Sequence, residues 1–365
     1  MAIKLKPLHD QVIVITGASS GIGLATAFAA AKKGARLVLA ARNEQALQDI
    51  AQEINENGGQ AIPVRADVGR QQDVQRIADV ALSHFGGFDT WVNDAGVSIY
   101  GRLLEVSDDD NRRMFDTNFW GLVYGSQMAA MHLRNRGGAI INIGSVLSDV
   151  AIPMQGMYSA SKHAVKGFTD ALRIELEEED APVSVTLIKP SAINTPYPEH
   201  ARNYTDHKLT LPPPVYEPEE VANAILYAAT HQKRDITVGG GGKFMSITNR
   251  LAPGLMDLSS EELMTDQQLL DEPAKQREGA LHRPGEGGRI HGHIEDTMST
   301  SLYTRAVTHP VITGAVVAAA GAAAIALMGK GRKKQNNHED DRPQKVDVVE
   351  IVEEVIITPP PQRPL

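Results

Sequence analysis

The chain has 365 residues, of which 42% are hydrophobic, and a formal net charge of −9 at pH 7. This length accommodates one α/β domain of about 250 residues with a C-terminal extension, and the acidic balance argues against nucleic acid as a partner. The absence of cysteine excludes disulfides, thiol catalysis and cysteine-ligated zinc.

Short apolar segments alternate with helix-forming segments along most of the chain. This alternation is typical of an α/β fold and predicts a doubly wound parallel sheet with helices on both faces. The N-terminal segment, 1–11, carries no apolar stretch of the kind that directs secretion. We therefore expect the folded domain to be cytoplasmic.

The first predicted strand, 12–16, leads into a glycine-rich turn and then a helix-forming segment. Gly17, Gly21 and Gly23 follow the spacing G-x-x-x-G-x-G, which differs from the standard G-x-G-x-x-G dinucleotide fingerprint. Glycines let the backbone approach a pyrophosphate closely, and the helix N-terminus offers N–H groups to it. An ordinary glycine-rich turn is the alternative. Under the first interpretation the cofactor contacts here are Thr16, Gly17, Ser19, Ser20, Gly21, Ile22 and Gly23.

The second predicted strand, 36–41, is followed by Arg42. Sites that prefer NAD usually carry a carboxylate near this position, which bonds the ribose 2′-hydroxyl. A guanidinium instead pairs with the 2′-phosphate of NADP, so the sequence favours NADPH over NADH. The alternative is that Arg42 is a solvated charge ahead of the next helix, for which Asn43 has the side chain of an N-cap.

Polar and small residues follow the third and fourth predicted strands, 61–66 and 88–93. Ligands of open parallel sheets bind beyond the carboxyl ends of the strands. Asp67 is therefore expected to accept a hydrogen bond from an adenine amine, to cap the following helix, or to do both. Small residues after the fourth strand leave room for a cofactor. The predicted contacts at these two strand ends are Asp67, Val68, Asn93, Ala95 and Gly96.

A fifth strand, 139–143, ends just before Ser145, and an amphipathic helix carrying Tyr158 and Lys162 follows. Residues four apart lie on one face of a helix. A phenol has a pKa of about 10, and a neighbouring ammonium lowers it. The pair can then exchange a proton with a carbonyl or alcohol oxygen, which Ser145 would hydrogen-bond. A surface tyrosine and lysine explain the spacing alone equally well.

Taken together, the motifs resemble the short-chain dehydrogenase/reductase family over roughly residues 8–250. The resemblance implies a Rossmann-type fold that binds NAD(P)(H). It implies that Tyr158 is the general acid/base, that Lys162 lowers its pKa and holds the nicotinamide ribose, and that Ser145 orients the substrate oxygen. It also implies that Asn118 kinks its helix and anchors a water. The residues that carry the resemblance are Thr16-Gly17-x-x-x-Gly21-x-Gly23, Asn93-Asp94-Ala95-Gly96, Asn118, Ser145 and Tyr158-x-x-x-Lys162.

The resemblance also extends to the segment after the sixth predicted strand, 183–188. It implies that the Ile193 backbone contacts the nicotinamide carboxamide, that Thr195 neighbours the diphosphate, and that Pro190 belongs to the same cofactor site. Two positions depart from the family pattern. Asp94 stands where asparagine is frequent, from which we expect slightly altered turn packing, and Ser191 stands where glycine is common.

Residues 195–218 are rich in proline and aromatic side chains and lack periodicity. So long a segment without periodicity is typical of a lid or binding loop. Its apolar members, together with Val146, Leu147, Ile152 and Met154, predict an apolar substrate pocket. The alternative is that they only pack the loop onto the domain. The glycine run 239–242 is expected to form a flexible turn rather than a second phosphate site.

The composition changes after residue 270. We expect a domain over 1–270, a polar flexible linker over 271–310, an apolar helix over 311–328 and a basic, then disordered, tail over 329–365. The apolar segment has eighteen residues without a charge, which favours membrane association. A buried or self-associating helix is the alternative. His291 and His293 lack a third ligand in the sequence and are expected to be solvated, so we predict no metal site.

These observations predict an NADP(H)-dependent oxidoreductase that transfers a hydride between the nicotinamide and a carbonyl or alcohol substrate. A pocket of apolar side chains favours a lipophilic small molecule. The family resemblance implies a homo-oligomer. The competing hypothesis is an NADPH-binding sensor or scaffold without turnover, which the Ser145, Tyr158 and Lys162 set disfavours.

Overall fold

A computed structural model describes residues 3–309 of the chain. The predicted segments 311–328 and 329–365 lie outside the described residues. The strands of the described part are β1 (Val12–Thr16), β2 (Arg36–Ala41), β3 (Gln60–Arg65), β4 (Thr90–Asn93), β5 (Ile99–Tyr100), β6 (Gly138–Ile143), β7 (Val183–Pro190), β8 (Ala192–Ile193), β9 (Arg202–Asn203), β10 (His207–Leu209), β11 (Val215–Tyr216), β12 (Asp235–Val238) and β13 (Leu269–Pro273).

Helices follow most strands of the main sheet. Within residues 3–309 no helix is both long enough and apolar enough to cross a membrane. The α-helices of this part are α1 (Gly21–Lys32), α2 (Glu44–Glu56), α3 (Gln71–Phe85), α4 (Asp108–Phe115), α5 (Gly121–Leu133), α6 (Gly156–Glu178), α7 (Tyr197–His200), α8 (Pro218–Ala228), α9 (Gly240–Leu251), α10 (Pro253–Ser259) and α11 (Leu302–Thr308).

The main sheet has seven strands in the order β12-β7-β6-β4-β1-β2-β3, and all of its neighbouring strands are parallel. The predicted doubly wound, Rossmann-type α/β fold is therefore confirmed. The chain runs outward from β1 in both directions, so the order of the strands reverses between β1 and β4. Ligands of such sheets bind in the crevice at this switch point.

The core lies in two apolar layers, one on each face of the sheet. Successive side chains of a strand point to opposite faces, and β1 contributes to both layers. Ile13 and Ile15 pack with residues of α1, α2 and α8, whereas Val12 and Val14 pack with residues of α3 and α5. Burial on both faces explains why β1 is an uninterrupted apolar run rather than an alternating one.

The glycine run 239–242 differs from the prediction. We expected a flexible turn, but α9 begins at Gly240. A Cβ at Gly242 would clash with the Val146 side chain, so the glycines allow this helix to approach the segment after β6. Close packing, rather than flexibility, accounts for the run.

The segment 271–309 also differs from the flexible linker that its composition predicts, since it belongs to the same compact unit as the sheet. Strand β13 pairs with β10, and α11 packs against α8 and β12. Between them, residues 279–294, here called the strap, cross the carboxyl ends of the sheet strands. The strap has little regular structure because its backbone groups bond to neighbouring loops instead of to one another.

Candidate active site

A cleft with a volume of about 470 Å³ lies at the carboxyl ends of the parallel strands, at the switch point. It brings together most of the predicted site residues. Thr16, Gly23, Asn93 and Asn118 do not line it. Those that do are Gly17, Ser19, Ser20, Gly21, Ile22, Arg42, Asp67, Val68, Ala95, Gly96, Ser145, Tyr158, Lys162, Pro190, Ile193 and Thr195.

Two of the residues behind the cleft wall join its strands. The Thr16 hydroxyl accepts hydrogen bonds from the backbone N–H groups of Asp94 (3.1 Å) and Ala95 (3.3 Å). The buried Asn93 side chain donates to Asn142 at 2.8 Å. Thr16 therefore holds the turn after β4 against β1, and Asn93 ties β4 to β6, so both act on the cofactor site through the backbone.

The turn after β1 depends on its glycines. Gly17 has φ +76°, and a Cβ there would lie 2.8 Å from the Ala95 backbone. Helix α1 then begins at Gly21; the side chain of its N-cap, Ser20, makes no capping hydrogen bond, and the first turn has no acidic residue. The positive end of the helix dipole therefore faces the cleft, where Asp94 accepts a hydrogen bond from the Gly23 N–H. A glycine turn that leads into a helix N-terminus fits the diphosphate of a dinucleotide.

Arg42 lies at the adenosine end of the cleft, beside the N-terminus of α2. Asn43 accepts a hydrogen bond from the Ala46 N–H at 3.1 Å, which confirms it as the N-cap. The Arg42 guanidinium donates to the backbone carbonyls of Leu281 (3.0 Å) and Ala280. Burial, and then the neighbouring Arg113, lower the pKa of Arg42. The two groups that accept these hydrogen bonds from Arg42 are thus neutral carbonyls and not a carboxylate.

The Asp67 side chain does not bond to the N-terminus of the helix that it was predicted to cap. It forms an ion pair with Arg113 at 2.7 Å, and its other oxygen accepts from the Gly69 N–H at 3.1 Å. Helix α3 begins later, at Gln71, with Arg70 in the N-cap position. The expectation that Asp67 caps this helix is therefore wrong, because the carboxylate stabilises the preceding turn instead.

Ser145, Tyr158 and Lys162 converge at the other end of the cleft. The Tyr158 and Tyr197 rings have centroids 5.7 Å apart, and the side chains of Tyr197 and Ser145 both act to lower the pKa of Tyr158. The Lys162 Nζ donates to the Ile143 carbonyl at 2.8 Å and lies 5.6 Å from the centroid of the Tyr158 ring. Helix α6 supplies the tyrosine and the lysine, one turn apart, and the end of β6 supplies the serine.

Burial dominates the electrostatics of this cluster. It raises the pKa of Tyr158 to about 12, against the hydrogen bonds from Tyr197 and Ser145. It lowers the pKa of Lys162 to about 8, against the charge of Asp94. The family resemblance implies a lowered Tyr158 pKa, but in this structure desolvation of the phenolate dominates and the charge of Asp94 also raises the pKa. A phenol with this pKa is protonated at neutral pH, the form that donates a proton.

Asn118 lies in a π-helical stretch, Asp116–Trp120, between α4 and α5. Its side chain accepts from the Val97 N–H at 2.8 Å and donates to the Val97 carbonyl at 2.9 Å. It also donates to Ser161 at 3.3 Å. The distorted helix turns Asn118 toward the segment after β4, so the asparagine holds one wall of the cleft.

The substrate end of the cleft is mainly apolar. Its polar groups include Tyr197, whose hydroxyl lies 2.7 Å from Ser98 Oγ and 2.9 Å from Gln155 Oε1. The prolines of the predicted loop form part of the wall, and α9 and the segment after α10 each add a methionine. The apolar lining residues are Val97, Val146, Leu147, Ile152, Leu211, Pro212, Pro213, Pro214, Met245 and Met264.

Asp94 has a larger role than its position in the turn predicted. It lines the cleft, and burial raises its pKa to about 7, against Lys162 and a hydrogen bond from the Gly23 N–H. The substitution was visible in the sequence, but its proximity to Lys162 depends on the tertiary fold, because α6 lies far along the chain from the turn after β4. The sequence of the strap has no periodic hydrophobic pattern that would have predicted its role in the cleft wall. The strap residues that line the cleft are Ala280, Pro284, Gly285 and Glu286.

His291 and His293 of the strap have separate partners. His291 lies 3.0 Å from Glu219 and 3.3 Å from Glu217, and His293 lies 3.5 Å from Glu199. The ligand atoms of His291, Glu217 and Glu219 lie within 4.8 Å of one another, so the expectation that His291 is solvated without further potential ligands is wrong. We assign no metal to this cluster.

Comparison with known proteins agrees with this geometry. The family model for short chain dehydrogenases matches residues 11–205. An uncharacterized oxidoreductase of Bacillus subtilis (strain 168), YxnA, is 49% identical over 324 residues, which cover 87% of this chain and 90% of that protein. The 11-beta-hydroxysteroid dehydrogenase A of Sesamum indicum is 41% identical over 187 residues, which cover 51% of this chain and 53% of the relative.

Solved structures show the same fold. A short chain dehydrogenase/reductase from Burkholderia phymatum in complex with NAD matches with a TM-score of 0.59 and 28% identity, over 74% of this chain and 100% of that one. An alcohol dehydrogenase from Thermococcus sibiricus complexed with 5-hydroxy-NADP matches with a TM-score of 0.55 and 28% identity, over 62% and 95%. The chain belongs to the short-chain dehydrogenase/reductase family and is an NAD(P)-dependent oxidoreductase.

Proposed function

We propose that the protein is an NADP(H)-dependent reductase of lipophilic carbonyl compounds, or a dehydrogenase of the corresponding alcohols. The observation that carries this proposal is the Ser145–Tyr158–Lys162 cluster. It lies where the cleft next to the glycine turn meets an apolar pocket. A reacting carbonyl there would be within reach of both a proton donor and the nicotinamide end of a dinucleotide.

In the proposed reduction the bound cofactor supplies a hydride to the carbonyl carbon. Tyr158 donates its phenolic proton to the carbonyl oxygen, so that C=O becomes CH–OH. The Ser145 hydroxyl hydrogen-bonds the same oxygen and orients it. Lys162 carries a positive charge close to the tyrosine ring and stabilises the phenolate that remains. Oxidation of an alcohol follows the same path in reverse.

The proposed preference for NADP over NAD depends on Arg42. A guanidinium has five N–H donors, and hydrogen bonds to two carbonyls leave donors for an anion. The 2′-phosphate of NADP supplies an anion of suitable geometry, whereas the 2′-hydroxyl of NAD does not. Residues Ala41 and Arg42 at the end of β2 provide no carboxylate for that hydroxyl.

The proposed lipophilic substrate is supported by the lining of the pocket. Valine, leucine, isoleucine, proline and methionine side chains form most of its wall, and burial of apolar surface favours binding in proportion to the area removed from water. The Sesamum indicum relative, which is named a hydroxysteroid dehydrogenase, is consistent with a bulky apolar substrate. We also propose, on the family resemblance, that the protein is a homo-oligomer.

The alternative proposal, a sensor or scaffold that binds NADPH without turnover, has less support. A protein that only binds the cofactor has no need for a buried tyrosine that lines the cleft together with Ser145 and Lys162. The test is oxidation of NADPH and of NADH by the purified protein with apolar and charged aldehydes and ketones. We expect turnover of the apolar carbonyls with NADPH as the better cofactor. Equal rates with both cofactors would contradict the NADP preference, and turnover of charged carbonyls alone would contradict the lipophilic substrate.

A further inference from the structure

The strap, residues 279–294, forms one wall of the cofactor cleft. It follows the residues that match the family model, which end at 205. The Gly288 N–H donates to the Ser19 carbonyl at 2.8 Å, and the Gly21 N–H donates to the Arg289 carbonyl at 3.0 Å. The Asn43 side chain donates to the Gly285 carbonyl at 3.0 Å. The strap is thus bonded to the glycine turn and to the N-cap of α2.

Leu281 anchors the strap at the adenosine end of the cleft. Its side chain is fully buried in an apolar cluster with Val97, Ile99 and Met114. Its carbonyl accepts hydrogen bonds from Arg42 at 3.0 Å and from the Arg113 Nε at 3.3 Å. Burial of the side chain therefore determines where the carbonyl lies, and the carbonyl determines where two guanidiniums meet.

The charges around this carbonyl do not balance. Arg113 pairs with Asp67 at 2.7 Å, whereas the two hydrogen-bond acceptors of Arg42, Leu281 and Ala280, are backbone carbonyls. A neutral acceptor orients a guanidinium without neutralising it, so the positive charge stays available for a further anion. A carboxylate in the same place would orient Arg42 but cancel its charge.

We propose that Leu281 is a positioning residue for cofactor selection, whose carbonyl holds Arg42 in the orientation that receives the 2′-phosphate of NADP(H). This inference rests on the NADP preference proposed above. An arginine free in solvent must lose the freedom of several rotatable bonds when it binds a phosphate. An arginine already held by two carbonyls loses less, and this preorganisation strengthens binding. The benefit applies to NADP(H) alone, since NAD(H) has no 2′-phosphate.

The experiment compares the dissociation constants of NADPH and NADH for the full chain and its variants, by titration calorimetry or cofactor fluorescence. Leu281→Ala should weaken NADPH binding about tenfold, the scale of one hydrogen bond to a charged group, and leave NADH binding within about twofold, since that group is absent from NADH. Leu281→Met, which keeps a long apolar side chain, should retain the wild-type ratio. Leu281→Val provides a milder change if the alanine variant does not fold.

Ile99→Ala is the matched control. Ile99 is buried in the same cluster as Leu281 but does not line the cleft. The Ile99→Ala variant should be less stable than the wild type but should keep the wild-type ratio of the NADPH and NADH dissociation constants. If Leu281→Ala weakens the binding of NADPH and of NADH equally, its effect is one of general stability, and the positioning role is refuted. Tighter NADPH binding by Leu281→Ala would also refute it, because the carbonyls would then compete with the phosphate.

A second pair of variants separates this inference from the proposed function. Arg42→Gln should abolish most of the NADPH preference, and adding Leu281→Ala to it should change the ratio no further, since Leu281 acts through Arg42. If Arg42→Gln leaves the ratio unchanged, the NADP proposal fails and the inference with it. If Arg42→Gln removes the preference but Leu281→Ala does not reduce it, the NADP proposal stands and the positioning role is overturned.

Discussion

At the scale of single residues, the active site depends on how burial affects three titratable groups. Tyr158, Lys162 and Asp94 lie close enough to influence one another's charge. Desolvation favours the neutral form of each one. The phenol is therefore protonated at neutral pH, the ammonium is close to its titration, and the carboxyl is partly neutral. These states suit donation of a proton to a carbonyl more than removal of one from an alcohol.

The first prediction concerns the pH dependence of carbonyl reduction. Since the pKa of Lys162 is lowered to about 8, its charge is present below this pH and is lost above it. The phenolate formed in the reaction then loses its stabilising charge, so kcat for reduction should fall as the pH rises through about 8. A pH–rate profile with saturating cofactor and substrate measures this. A profile that stays flat to pH values near the Tyr158 pKa of about 12 would contradict it.

The second prediction concerns Asp94. Its negative charge raises the pKa of Lys162 against the effect of burial. Asp94→Asn removes that charge while keeping the size of the side chain, so the pKa of Lys162 should fall further. The alkaline limb of the reduction profile should therefore move to lower pH. Asp170→Asn, which changes an aspartate that pairs with Arg173 at 2.7 Å and does not line the cleft, should leave the limb in place. Identical limbs in wild type and Asp94→Asn would refute the coupling.

At the scale of elements, periodicity determines what can be predicted. The strands 12–16 and 36–41 have their predicted bounds, because buried strands of a parallel sheet are short apolar runs. Helix α6 was also predictable from its amphipathic pattern. The strap and the start of α9 were not. The strap is held by backbone hydrogen bonds to distant loops, and α9 begins in glycines that local propensity assigns to a turn.

The third prediction concerns the strap. Because the strap bonds to Ser19 and Gly21 and lines the cleft, a bound dinucleotide should stabilise it in this position. Hydrogen exchange followed by mass spectrometry should show that NADPH protects residues 279–294 as well as the glycine turn. Helix α3, which packs against β1, β2 and α5 and has no residue that lines the cleft, serves as the internal reference and should change little. Protection of the turn without protection of the strap would show that the strap is not part of the cofactor site.

At the scale of the whole molecule, the fold places the two ends of the cleft in different surroundings. The adenosine end is polar and carries the Arg42 charge, whereas the substrate end is apolar. The fold, and the presence of most predicted contact residues in the cleft, followed from motifs at strand ends, since these positions are common to parallel sheets. The neighbours of Arg42, Asp67 and Asp94 did not follow from the sequence, because each partner comes from a distant segment.

The fourth prediction uses the apolar end of the cleft. In a series of straight-chain aldehydes, each added CH₂ that becomes buried contributes about 0.8 kcal/mol of transfer free energy. We expect kcat/KM with NADPH to rise by up to about fourfold per CH₂ until the pocket is filled. The matching series of ω-carboxylated aldehydes is the control and should be poorer at every length. A kcat/KM that does not depend on chain length would refute an apolar substrate site.

We propose that Tyr158 transfers the proton in a hydride-transfer reaction. The most direct measurement compares wild type with Tyr158→Phe for NADPH-dependent reduction of one good carbonyl substrate and for NADPH affinity. The phenylalanine keeps the ring and removes only the hydroxyl. We expect turnover to fall by at least about 100-fold, the usual contribution of general acid catalysis, while NADPH binds nearly as tightly as before. Turnover at the wild-type rate would contradict the proposed mechanism.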